Sequence, residues 1–174
     1  MYNKIHPGHP WYDTNGKHIQ AHGAQLFFEK GTFYWIGENK EFTTGEDEVW
    51  TWGVRLYSSN DLMNWQDEGL IVPPDLENRE SILHPARHLD RPHLLFNGKT
   101  KKYVLWLKYC DDSHYAVLTA DALKGPYTIV NGRYFPYGRK CGDFDLWKDE
   151  KGNAYIYFEA AHTDLLGAHL SADY

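Results

Sequence analysis

The stretch His93-Leu94-Leu95-Phe96-Asn97, Gly98-Lys99-Thr100-Lys101-Lys102, Tyr103-Val104-Leu105-Trp106-Leu107-Lys108 decides the fold. Two apolar runs flank a short polar turn containing glycine, which is the pattern of a β-hairpin. The pattern recurs on either side. Residues 24–29 and 33–37 flank Lys30-Gly31-Thr32, and residues 143–147 and 154–159 flank the polar turn 148–153. Residues 49–58 partly alternate apolar and polar, as a half-buried strand does, and 114–120 and 126–130 read as two further strands. No segment holds a 3.6-residue apolar period over ten residues.

The hairpins belong to a repeat. Each is followed by a strand that closes on a small-polar-Asp turn: Ser59-Asn60-Asp61-Leu62, Thr119-Ala120-Asp121-Ala122-Leu123 and Ser171-Ala172-Asp173-Tyr174. Asp61, Asp121 and Asp173 are 60 and 52 residues apart. Antiparallel four-stranded units recurring at about 50 residues are the mark of β-propeller blades. The expected class is therefore all-β, a β-propeller, with a β-sandwich as the rival. About three blades are expected, near 20–75, 90–131 and 141–174, the third incomplete. Closed propellers have about 4–8 blades. An unclosed one leaves apolar sheet faces bare, so association between copies is expected.

Composition narrows the class. Net charge is −6, from 18 basic and 24 acidic residues, which argues against a nucleic-acid partner. No apolar run approaches the roughly 20 residues of a membrane helix, so no membrane partner is expected. The opening Met1-Tyr2-Asn3-Lys4-Ile5-His6-Pro7-Gly8 has no apolar core of a signal peptide, which favours the cytoplasm. Cys110 and Cys141 lack zinc-site or disulfide-framework spacing and read as structural thiols. His84, His88 and His93 are spaced four and five apart, but Pro85 and Pro92 break any helix that would gather them. No metal and no cofactor are expected.

The stretch from Trp11 to Ala24 resembles the opening of glycoside hydrolase family 43 proteins, nearest the exo-β-1,3-galactanase-like subfamily. The resemblance continues through Tyr34-Trp35-Ile36-Gly37-Glu38, Leu56-Tyr57-Ser58-Ser59-Asn60-Asp61-Leu62-Met63-Asn64-Trp65, Asp90-Arg91-Pro92-His93-Leu94-Leu95-Phe96-Asn97 and Gly142-Asp143-Phe144-Asp145-Leu146-Trp147. It implies a five-bladed propeller of which this chain is an N-terminal portion. The implied activity is inverting hydrolysis of O-glycosyl bonds in galactan or related plant polysaccharide side chains, so the partner is an oligosaccharide or polysaccharide. An inverting site needs an acid and a base about 6.5–9.5 Å apart, with a water between substrate and base.

The resemblance also assigns positions. The family's usual base, an Asp opening the first blade, falls on Gly23 and is absent, as it is in the galactanase-like members. Asp143 falls on the Asp that orients the acid and tunes its pKa, with Asp145 as its rival two residues on. Asp90 stands where that subfamily has a Glu before Arg-Pro, and its neighbour Arg91 offers a plain local ion pair as the bland alternative. Glu38 matches a sugar-pocket Glu. Glu159 ends the equivalent strand of the third unit, with His162 after it. His22 and His93 open inner strands and are candidates to hydrogen-bond a sugar or a water. The family's general acid, a Glu opening a fourth blade, has no counterpart in 1–174, so this chain alone is expected to be inactive, or to be a non-catalytic carbohydrate-binding remnant. One or two of Trp35, Trp50, Trp52, Trp106 and Trp147 are expected to face a sugar. Carboxylates gathered in one cleft repel one another, so at least one is expected to titrate above the usual carboxylate range.

Overall fold

The computed structural model describes residues 1–174, and it is all-β. The strands are β1 (His22–Glu29), β2 (Thr32–Glu38), β3 (Val54–Ser59), β4 (Gln66–Val72), β5 (Leu89–Asn97), β6 (Lys102–Tyr109), β7 (His114–Ala120), β8 (Thr128–Tyr134), β9 (Phe144–Lys148), β10 (Ala154–Ala160) and β11 (Asp164–His169). They form three separate antiparallel sheets, β1-β2-β3-β4, β5-β6-β7-β8 and β9-β10-β11, in which every strand pairs with its neighbour in sequence. The only helix is a single 3₁₀ turn at Pro136–Gly138.

The turns explain the pairing. Lys30 and Gly31 both have positive φ, 49° and 86°, which gives a two-residue connection whose twist suits a hairpin. In the second hairpin Asn97 Oδ1 accepts from the N–H groups of Lys99 and Thr100, tying the loop to the end of β5. Asp149 does the same work in the third, accepting from Asn153 N at 2.8 Å.

Alternation then sorts side chains between faces. Ile36, Val54 and Leu56 of the first sheet pack against Leu94, Leu105, Leu107 and Leu118 of the second. Val104, Trp106, Tyr115 and Val117, on the other face of the second sheet, pack against Phe144, Leu146, Ile156 and Phe158 of the third. β5 therefore lies against both β1 and β9, and the first strands of all three sheets run side by side. The far face of the first sheet is partly covered by the N-terminal segment, through Trp11, Ile19 and Ala21 on Trp35, Tyr57 and Trp65. Leu26 and Phe28 on that face, and Trp147, Tyr157 and Leu165 on the far face of the third sheet, stay exposed.

Two strand expectations shift and one strand is unforeseen. The run 49–58 is strand only from Val54, because Gly53 turns at φ 81° and the preceding N–H groups of Trp50 and Thr51 leave the sheet to bond Pro85 O. The expected strand 126–130 begins instead at Thr128 and runs to Tyr134; Pro126 has no N–H to give a ladder. β4 was silent in the sequence, since Gln66-Asp67-Glu68-Gly69 is polar and irregular, and its pairing with β3 is broken by bulges.

Candidate active site

One end of each hairpin carries the site. Cross-strand register places His22 opposite Glu38 and Asp90 opposite Lys108. Glu159 N donates to Asp143 O at 3.0 Å, so Asp143 and Glu159 form the third such pair. Because β1, β5 and β9 lie together, these three pairs meet at one end of the molecule.

Bulges shape that end. β1 slips between His22 and Gln25, and β5 slips between Asp90 and His93. The residues at the two slips, Gly23 and Arg91, both have positive φ, 57° and 50°. Gly23 must be glycine for a second reason: a Cβ there would overlap Glu38 Oε1. The carboxylate of Glu38 thus fills the space where the resemblance expects the side chain of a family Asp. The third sheet repeats the arrangement, since a Cβ on Gly142 would overlap Glu159 Oε1.

Arg91 ties the sheets together. A non-glycine residue in the left-handed region costs about 1–3 kcal/mol, and its own bonds offset that cost. Its backbone N–H donates to Glu38 Oε1 at 3.0 Å, and its guanidinium reaches Asp143 Oδ2 at 2.7 Å. The local Asp90–Arg91 ion pair considered from sequence is not what forms. Lys108 Nζ donates to the other oxygen, Asp143 Oδ1, at 2.7 Å. Asp143 N in turn donates to Glu159 Oε1 at 3.1 Å, and Glu159 Oε2 meets His162 Nδ1 at the same distance.

Glu38 is the buried member, with a side chain only 1% exposed. Its Oε2 faces Lys40 Nζ at 2.9 Å and His22 Nδ1 at 3.3 Å. Asp90 is held on both oxygens, by Trp50 Nε1 at 2.9 Å and by Cys110 Sγ at 2.6 Å. Lys40 Nζ also sits over the Trp50 ring, 4.3 Å from its centre, so the indole is fixed between a cation and a carboxylate. His93 is buried against Phe144, with Nδ1 3.2 Å from Arg91 O and Nε2 3.3 Å from Asp145 Oδ1. Asp145 itself is 74% exposed and lies toward the open face of the third sheet.

The electrostatics differ from the sequence expectation. Burial by itself would raise the Asp143 carboxyl, but Lys108 and Arg91 outweigh it and hold the group below the usual carboxylate range. Cations interleave the acids: Lys40 beside Glu38, Arg91 and Lys108 beside Asp143. The expected carboxyl of raised pKa is not what these pairs produce at Asp143. Burial keeps the His93 imidazole below its ordinary value, against the pull of Arg91 O and Asp145. Burial, then the bond to Asp90, pushes the Cys110 thiol up to about 11, so it is not an activated nucleophile.

Of the residues named from sequence, Asp143, Asp90, Glu38, His22 and Glu159 gather at this end, and His93 with Asp145 forms an adjoining pair. The sequence does not single out Lys40 or Lys108; it offers Trp50 only as one of five tryptophans that could face a sugar, and Cys110 only as a structural thiol. Register could have found Lys108, which lies opposite Asp90, but only with the β5 bulge known. His84 and His88 do not join His93, since His88 pairs with Asp111 at 2.9 Å and His84 accepts from Ala86 N. No group of three or more His, Cys, Asp or Glu side chains is placed to hold a metal ion.

No protein-family model and no curated protein matches the chain. Solved structures do. A family 43 β-1,3-galactosidase superposes with a TM-score of 0.85 at 32% identity, over 100% of this chain and 37% of its own. An exo-β-1,3-galactanase from Phanerochaete chrysosporium, solved with galactose, gives 0.87 at 30% identity, over 99% of this chain and 40% of its own. The exo-β-1,3-galactanase of Clostridium thermocellum, at 24% identity and a TM-score of 0.84, shares the fold over 98% of this chain and 38% of its own. The chain thus spans about two fifths of the length of these relatives.

Proposed function

This chain belongs to glycoside hydrolase family 43, and from that premise we propose that it supplies one side of a glycosidase site for β-1,3-linked galactose. In this reading the three sheets are consecutive blades of a five-bladed propeller, and the end carrying Asp143, Asp90 and Glu38 faces its axis. The likeness to galactanases along the whole chain supports the substrate class. The observation that carries the site is Asp143, gripped by Arg91 from the second sheet's first strand and by Lys108 from its second, yet still 47% exposed.

The geometry suggests how the parts divide the work. A carboxylate kept anionic beside the reaction centre favours the protonated form of a neighbouring acid and stabilises the positive charge of an oxocarbenium-like transition state. Asp143 suits that role. Asp90 and His22 are placed to accept or donate hydrogen bonds to sugar hydroxyls. Glu38 acts from beneath: with its oxygens committed to Arg91, Lys40 and His22, it sets where those groups stand. Protonation of the leaving oxygen falls to an acid outside these residues, and hydrolysis by this chain alone is not expected. Reaction by inversion, with a water as nucleophile, follows the family.

A carbohydrate-binding role without catalysis is the second reading, and one observation favours it. The carboxylate that fills the space of the usual base, Glu38, is buried with both oxygens committed to protein partners. Titration calorimetry decides whether there is a site at all. Galactose and β-1,3-galactobiose should bind the wild-type chain more tightly than xylobiose does, and Asp143→Asn should weaken them; equal heats for all three sugars would sink the proposal.

A further inference from the structure

Glu38 and Asp143 are both set by where Arg91 stands, yet Arg91 stands on a bulge. β5 pairs at Asp90↔Lys108 and again at His93↔Trp106, so Arg91 and Pro92 face Leu107 alone. Pro92 has no N–H with which to steady the bulge, and Arg91 holds a left-handed φ of 50°. The Arg91 N–H is fixed by Glu38 and its guanidinium by Asp143. Its third polar group, the carbonyl, is met by His93.

His93 Nδ1 lies 3.2 Å from Arg91 O. A carbonyl only accepts, so this bond needs the ring proton on Nδ1. Nε2 faces Asp145 Oδ1 at 3.3 Å and competes for the same proton in the neutral ring. Asp145 needs it less. Its side chain is 74% exposed, so water serves its oxygens, and Oδ1 already accepts from Leu146 N at 2.8 Å. The ring itself is held in place. It is buried on Phe144, with 4.9 Å between ring centres, and Phe144 packs in turn on Tyr115 at 4.7 Å. Phe144 follows Asp143 in the chain, so the same wedge sets Asp143 against β5.

We infer that His93 is a positioning residue for the carboxylate cluster: through Nδ1 it locks the Arg91 bulge, and so aims the guanidinium at Asp143 and the N–H at Glu38. Buried as it is, the ring reaches no ligand and acts through Arg91. What the lock does for a galactoside rests on the glycosidase reading, whereas the lock itself belongs to this chain.

Two measurements on the free chain test it. Neither uses a sugar, so the lock and the galactoside reading can fail separately. The first is the ¹⁵N spectrum of the His93 ring at mildly alkaline pH. Nδ1 should carry the proton and Nε2 should be bare, the reverse of the tautomer histidine favours in water; a proton on Nε2 would overturn the inference. The second is the ¹³C titration of the Asp143 carboxyl in two variants. His93→Asn keeps an N–H where Nδ1 stands, whereas His93→Gln carries its amide out to the place of Nε2. The Asp143 midpoint should stay with the wild type in His93→Asn. In His93→Gln it should rise by most of the rise seen in Arg91→Gly, which removes the guanidinium. An unchanged midpoint in His93→Gln, or equal rises in both variants, would overturn the inference. A merely structural role would lower thermal stability without separating the two variants. Should neither variant fold, the tautomer of the wild-type ring still decides.

Discussion

Arg91 is the residue on which the site turns. Its backbone holds Glu38 and its side chain holds Asp143, so one substitution disturbs two sheets. Arg91→Gly suits the φ of 50° but leaves Asp143 with Lys108 alone. The Asp143 carboxyl should then titrate higher than in the wild type, read by ¹³C NMR, while the fold persists. Gly23 makes the opposite kind of prediction. Gly23→Ala forces a Cβ into Glu38 at a left-handed φ, and a loss of about 2–4 kcal/mol is expected in urea unfolding. In a Glu38→Gly background the cost of Gly23→Ala should be smaller, because the overlapping carboxylate is gone; no coupling in the double-mutant cycle would show that the two do not compete for space. The carboxylates Asp143, Asp90 and Glu38 were legible because they follow the family's spacing. Arg91 as a link was not, because nothing in Asp90-Arg91-Pro92 tells that a bulge turns the arginine away from its neighbour.

Among the elements, the central strands β6 and β7 of the second sheet are the most buried, and β8 and β11 the most exposed. Leu105 and Leu107 are fully buried on the face β6 turns to the first sheet, so truncation of either to alanine should cost about 2–5 kcal/mol. The burial of His93 between β5 and β9 adds a pH dependence, against the opposing pull of Asp145. His93 is harder to protonate when folded, so between its lowered pKa and about 6.5 the unfolded chain binds more protons. Its contribution is complete above about pH 6.5 and is lost as pH falls through the folded value. Asp143, lowered as well, adds a second loss below about pH 4. Thermal midpoints should therefore fall on acidification, and His93→Gln should flatten the upper part of the curve. The hairpins were readable in the sequence because their turns carry glycine between aromatic runs. β4 was not, because its polar half sits at a sheet edge where no alternation is required.

At the scale of the whole molecule, the three sheets are stacked by two buried cores, and two apolar faces are left over. Leu26 and Phe28 mark one; Trp147, Tyr157 and Leu165, the last 81% exposed, mark the other. These faces are where association is expected, and Phe28→Lys with Leu165→Lys should shift the protein toward monomer in light scattering. The repeat of Asp61, Asp121 and Asp173 made the three-unit layout legible, but no periodicity reveals which ends of the units meet, so the cation-threaded cluster had to come from the structure. The central claim is that this meeting point binds galactosides. The direct measurement is an amide-correlation NMR titration of the chain with β-1,3-galactobiose. The account predicts shifts concentrated at His22, Gly23, Arg91, Gly142 and Asp143 that shrink in Asp143→Asn; shifts that map to the open sheet faces, or that are unchanged in the variant, would contradict it.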